Sequence, residues 1–309
     1  MIIPKRLKKG DRIGVVTPSA PLNSNKLVAR LNNGIAILND MGFEVVLGRN
    51  AMKVNGYLAG EPEEKAEDIN EMFADRNVSA ILCSQGGGTA NGCLPHLDWD
   101  TIRRNPKIFQ GFSDISVILN SINSKTGLVT FHGHDVAWGL GWKPSEYDLN
   151  EFRLRLIDGM TGEVNPSGER KTVRSGSASG KLVGGNIMCL LKLAGTPYWP
   201  DCRNSILFME GYTVGPDDCD YMFHQLEQMG IFEEISGAVV GYVHSLQNSP
   251  FPVPQMEDIL LDVSRSYDFP ILKINDFGHE CRTTVLPVGG MARIDADEKI
   301  FSLTERCLA

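Results

Sequence analysis

No apolar run in this chain approaches the length needed to span a bilayer, and no stretch is rich in lysine or arginine. The basic opening, Met1 to Gly10, lacks the apolar run of a signal peptide. The formal net charge of −8 argues against a nucleic-acid polymer as partner. Cysteine is sparse: seven residues, an odd number without paired spacing, exclude a disulfide framework and point to reduced thiols in a cytoplasm. Cys83, Cys189 and Cys219 lie in apolar or mixed runs and read as small core residues. Internal repeats and low-complexity tracts are absent. These absences predict a cytoplasmic protein with no membrane and no nucleic-acid partner.

What is present suffices for a large core. With 42% hydrophobic residues in 309, the chain has material for two domains or one large α/β domain. Strand-like runs at Asp11–Ser19, Phe43–Leu47, Ser79–Cys83, Lys107–Phe109 and Leu128–Phe131 alternate with helical patterns at Leu27–Met41, Pro62–Phe73 and beyond Ser113. Such alternation implies a parallel sheet with function at the carboxyl ends of its strands. From Trp138 to Ser179 glycine and proline punctuate the pattern, and this stretch reads as an inter-domain connection with a mobile loop. The second half has strands at Ser205–Glu210, Gly237–Val243, Ile271–Ile274 and Met291–Asp295, and helices at Asp218–Met229 and Met256–Tyr267. The predicted division is residues 1–150, a connecting segment 151–179, and residues 180–309.

The chain is organised around Gln110-Gly111-Phe112-Ser113-Asp114-Ile115. A buried strand precedes Ser113, and Ile115, Ile118, Leu119 and Ile122 recur at helical spacing after it. A serine on so tight a strand-to-helix turn has an accessible hydroxyl, with backbone N–H groups beyond it that favour negative charge. Those are the needs of a nucleophile; the competing use of Ser113 or Asp114 is to cap the helix. The second glycine of the usual nucleophile elbow is missing, because Ile115 stands there.

A serine nucleophile needs a base and the base an orienting acid. His96 reads as a surface loop residue, His224 as part of a helix, and His244 ends a strand. His132 and His134 follow the fifth strand as candidate pocket residues and, with Asp135, form a weak metal-site candidate. His279 lies in a glycine-flanked loop, Asn275 to Glu280. Glu210 ends an apolar strand, where a carboxylate must be paired or hydrogen-bonded to offset desolvation; the structural alternative is a salt bridge to a lysine or arginine, or exposure at the strand tip. Gly86-Gly87-Gly88 suits close backbone approach to a ligand; it has neither the Walker lysine nor the dinucleotide spacing, so it reads as an oxyanion-hole loop or a plain turn.

Taken in order, these stretches resemble the LD-carboxypeptidase and microcin C immunity peptidases, a serine peptidase family. The resemblance runs from Gly14–Ser19 through Gly86-Gly87 with Asn91, Leu94–Asp98 and Gly111–Asp114. It continues through Gly180–Asn186, Ala194–Tyr198, Leu207–Glu210, Phe277–His279 and Leu286–Gly289. It implies an α/β fold: an N-terminal, mostly parallel sheet domain resembling class I glutamine amidotransferases, and a smaller C-terminal α/β domain carrying acid and base. It implies a triad of Ser113, Glu210 and His279, oxyanion donors on the backbone of Gly87 and Asp114, and substrate contacts at Gly86, Gly88 and His132. Neither metal nor organic cofactor is required, and the family is often dimeric. The implied substrate is a small murein peptide with an L,D bond, or alternatively a peptidyl- or aminoacyl-nucleotide; a non-catalytic binding protein on the same fold is the third reading, against which an intact Ser, Glu and His set argues. Gly88, Gly211 and Glu280 depart from common family residues, and no tryptophan lies between Trp142 and Trp199 where the immunity branch carries one in a mobile loop. Lys143, Arg170, Lys171 and Arg174 are candidate contacts for a carboxylate or phosphate.

Overall fold

The computed structural model describes all 309 residues. Five parallel strands build the first sheet: β1 (Arg12–Val16), β2 (Glu44–Leu47), β3 (Val78–Cys83), β4 (Ile108–Gly111) and β5 (Thr130–His132). The strands are buried nearly throughout at the centre, as a sheet covered on both faces requires. The second sheet contains β6 (Gly162–Glu163), β7 (Lys171–Arg174), β8 (Ser177–Asn186), β9 (Ser205–Gly211), β10 (Gly237–Val243), β11 (Ile271–Gly278), β13 (Met291–Asp295) and β14 (Ile300–Leu303). Its order is β6-β14-β13-β8-β9-β10-β11-β7, with β8 to β11 parallel. The intervening β12 (Leu286–Val288) returns to the first sheet, antiparallel to β5, so the chain order and the sheets do not divide cleanly.

The stretch expected to be a mobile connector contributes β6 and β7 as edge strands. Arg170 forms a buried ion pair with Asp276 at 2.8 Å, Lys171 pairs with Asp258 at 3.1 Å, and Arg174 donates to the carbonyls of Phe269 and Ser264. Their charges hold the second sheet's edge. Strand β11 also runs to Gly278, past the polar Asn275-Asp276 that looked like a loop, because Asp276 is neutralised by Arg170. Strand β8 is long despite three glycines; Gly184 lies at φ +141°, and a Cβ there would sit 1.8 Å from the carbonyl oxygen of Phe208.

One core joins the sheets. Ile115, Val117, Ile118, Leu119 and Ile122 pack in a single cluster with Leu182, Val183, Phe208 and Leu286. The helix Ser116–Thr126 that follows Ser113 is therefore gripped on several sides, and its start is held as firmly as the core. No helix is long and apolar enough to cross a membrane.

Candidate active site

Ser113 has φ +59°, a left-handed conformation that costs a non-glycine residue about 1–2 kcal/mol. Strand β4 delivers the chain to this point and the buried helix pulls it away, so the turn is over-determined. Gly111 makes it possible: a Cβ there would lie 2.5 Å from the side chain of Ile115, which fills the place of the missing second glycine. Neither Ser113 nor Asp114 caps the helix. The hydroxyl instead faces a cavity of about 830 Å³ shared with His279, at the carboxyl ends of the first sheet's strands.

Glu210 is fully buried near the end of β9. Its Oε1 accepts from Nδ2 of Asn186 at 3.1 Å, and its Oε2 lies 2.6 Å from Nδ1 of His279. Its partner is thus a histidine, not a lysine or arginine. Burial pushes the carboxyl upward, but the charge and hydrogen bond of His279, with lesser help from His132 and Asn186, hold it below the ordinary carboxylate value. An ionised Glu210 fixes the proton on Nδ1 and leaves Nε2 free to accept one. The imidazole is clamped between Phe112, with ring centres 4.6 Å apart, and Tyr212, stacked at 4.7 Å. No hydrogen bond joins Ser113 to His279 in this state; both open onto the same cavity.

The glycine loop after β3 borders the same cavity through Gly86 and Gly87. A Cβ on Gly86 would come within 2.8 Å of the Ser113 side chain, and Gly87, at φ +148°, has Ala20 and Ser19 Oγ 2.6 Å from where its Cβ would be. The glycine loop thus packs against the serine's turn through Gly86 and against Ser19 and Ala20 through Gly87. The Asp114 side chain is fully buried and accepts from Ser19 Oγ at 2.5 Å and from the N–H of Ala90 at 2.8 Å.

Other expected residues take different places. Gly88 does not line the cavity; its carbonyl accepts from Lys192 at 3.1 Å. His132 is fully buried behind Phe112, among Phe208 and Phe277, with neither ring nitrogen hydrogen-bonded; it is outside the cavity, and burial pulls its pKa down to about 4. Its place at a sheet end suggested a ligand contact, but the inner rather than outer face of the strand carries it. His132, His134 and Asp135 do not converge on one point: His134 pairs with Asp148 at 3.3 Å, and Asp135 accepts from the N–H groups of Trp138 and Gly139. Of the four candidate cations only Lys143 lines the cavity, and no residue of 159–180 does. His96 and His224 are exposed beside Glu63 and Glu227, and His244 lies 3.7 Å from Glu280.

The sequence reading missed several neighbours. Asn186 stood in a recognised stretch without a role, whereas Tyr212 and Phe112 carried no signal because stacking on His279 depends on three distant segments meeting. Trp138 and Trp142 form an aromatic wall of the cavity, backed by the Arg30 guanidinium 3.9 and 3.8 Å from their ring centres.

This two-sheet α/β fold, with a strained serine facing a carboxylate-bound histidine, has the form of a serine hydrolase. Models of the LD-carboxypeptidase N-terminal and C-terminal domains match residues 13–133 and 179–294. The chain is 33% identical to a probable murein peptide carboxypeptidase of Bacillus subtilis, covering 96% of this chain and 92% of that protein. It is 28% identical to the microcin C7 self-immunity protein MccF of Escherichia coli, covering 98% and 96%. The apo structure of MccF superposes with a TM-score of 0.92 at 27% identity over the full length of both chains. An MccF-like protein from Bacillus anthracis superposes at 0.90 with 30% identity, covering 99% of this chain and 100% of that one. The chain belongs to the LD-carboxypeptidase family and is a serine peptidase.

Proposed function

We propose that this peptidase is an LD-carboxypeptidase that releases a terminal D-amino acid from murein peptides during cytoplasmic recycling. The carrying observation is the preassembled Glu210–His279 pair, 2.6 Å apart, opening onto the same cavity as Ser113. In this reading Ser113 Oγ attacks the amide carbonyl while His279 Nε2 takes its proton. The N–H groups of Gly87 and Asp114 receive the oxyanion. His279 returns the proton to the leaving amine, and the acyl group remains on Ser113. A water then gives a proton to His279 and attacks the ester; His279 passes that proton to Ser113 Oγ as the ester bond breaks, releasing the acid and restoring the serine. Glu210 stays ionised and stabilises the imidazolium. Seven free cysteines support a reducing compartment. The homodimer implied by the family belongs to the same reading and is checked by light scattering.

A second reading is favoured by the aromatic wall of Trp138 and Trp142, with Tyr57 on the same cavity. Related structures are of MccF with aspartyl sulfamoyl adenosine and with glutamyl sulfamoyl guanosine. Cleavage of an aminoacyl-nucleotide amide is the alternative. Turnover of a murein tetrapeptide against an aminoacyl sulfamoyl adenosine decides between them: the first should be cleaved with the higher kcat/KM, and the reverse order overturns the murein assignment.

A further inference from the structure

Lys192 lies on the short turn Leu191–Leu193 of the second domain, yet its side chain crosses to the first. Its Nζ donates to Asp114 Oδ1 at 2.5 Å and to the carbonyl of Gly88 at 3.1 Å. One acceptor therefore belongs to the residue after Ser113, and the other to the residue after Gly87. The two halves of the oxyanion hole come from separate loops, after β4 and after β3, and one ammonium holds both. Ser19 adds a second link on the far side. Its Oγ donates to Asp114 Oδ2 at 2.5 Å, accepts from the N–H of Thr89 at 3.3 Å, and sits 2.6 Å from where a Cβ on Gly87 would fall. Removing the ammonium would leave a fully buried carboxylate without its cation and free the Gly88 carbonyl to turn.

We propose that Lys192 is a positioning residue that keeps the Gly87 and Asp114 N–H groups in register, so that docking of the second domain completes the oxyanion hole. This rests on the assignment of Ser113 as nucleophile and of those two amides as its donors. Lys192 makes no hydrogen bond to Ser113 or His279, and it is absent from the cavity wall. A donor displaced by even about 1 Å costs on the order of a hundredfold in rate.

The test uses the full chain and whichever of the two substrates the wild type turns over. Lys192→Met should lower kcat about tenfold to a hundredfold while KM changes less than about threefold, because the loss falls on the transition state. Lys192→Arg, which keeps charge and donors, should recover most of that kcat. Substrate affinity measured in the Ser113→Ala background should be the same with and without Lys192→Met. If Lys192→Met does not fold, Lys192→Gln is read by the same criteria. Wild-type kcat in the neutral variant, or a loss expressed as weaker substrate binding, overturns the proposal. Failure of the underlying assignment looks different: Ser113→Ala itself would retain activity.

Discussion

Glu210 Oε2 and His279 Nδ1 lie 2.6 Å apart although 69 positions separate them in the chain. Both sit at the ends of neighbouring regions of the second sheet, so the pair needs no movement of the first domain to form. Ser113 is delivered separately. Ser116 Oγ accepts from the N–H of Asn186 at 3.0 Å, and Asn186 in turn bonds Glu210, so a polar chain links the serine's helix to the acid.

Ser113→Ala should abolish hydrolysis, with a loss on the order of 10⁶ in kcat, while substrate binding survives. Ser113→Gly should be equally inactive but no less stable, since glycine accepts φ +59° without steric penalty. Its melting temperature should match or exceed that of wild type. Retention of a tenth of the activity in either variant contradicts a serine nucleophile.

Glu210→Gln keeps the shape of the side chain but not its charge. A kcat loss of about 10⁴ is expected, with little change in KM, by comparison with other triads. Steady-state kinetics at the pH optimum decide this; unchanged kcat would make Glu210 a structural carboxylate.

Acid should destabilise the fold through His132. Its folded pKa is lowered from 6.5 to about 4, so between those values the unfolded chain binds the proton that the native state refuses. Stability tied to this residue is intact above pH 6.5 and falls as the pH drops toward 4, by about 3 kcal/mol in total. Glu210 and Asp114, both held below their ordinary values, add a loss of the same sign further down, once the pH passes below 4.5 and 3.8 respectively. Asp135, raised by burial, works in the opposite direction. His132→Leu should flatten the dependence of melting temperature on pH between 4 and 6.5, and should leave KM unchanged because the ring is outside the cavity. An equally steep curve in the variant contradicts this account.

Gly87→Ala should lower both activity and stability. The new Cβ meets Ala20 and Ser19 Oγ at 2.6 Å, and the backbone must leave φ +148°. Misplacing one donor costs about 10² in kcat, and the strain about 1–3 kcal/mol. Chemical denaturation and kinetics measured on the same preparation separate the two; wild-type kcat would remove Gly87 from the oxyanion hole.

Local pattern determined much of this protein. Alternating strand and helix periods specified the parallel N-terminal sheet, since each element must bury one face, and the Gly111–Ile115 turn marked where its chemistry sits. The order of short stretches from Gly14 to Gly289 carries a family resemblance, and it is that resemblance, not local periodicity, that implies Ser113, Glu210 and His279 as a set; of its members the structure brings Glu210 and His279 into contact. Contacts between remote segments were decided only by tertiary structure. The candidate cations Arg170, Lys171 and Arg174 read as free for a ligand, yet they are consumed by Asp276, Asp258 and backbone carbonyls of the second sheet. His132 looked like a pocket residue, but strand β5 turns it into the aromatic core. Lys192 had no local signal at all. Its reach to Asp114 and Gly88 exists because the second sheet packs against the serine's helix, and packing across 78 positions leaves no trace in the spacing of neighbouring residues.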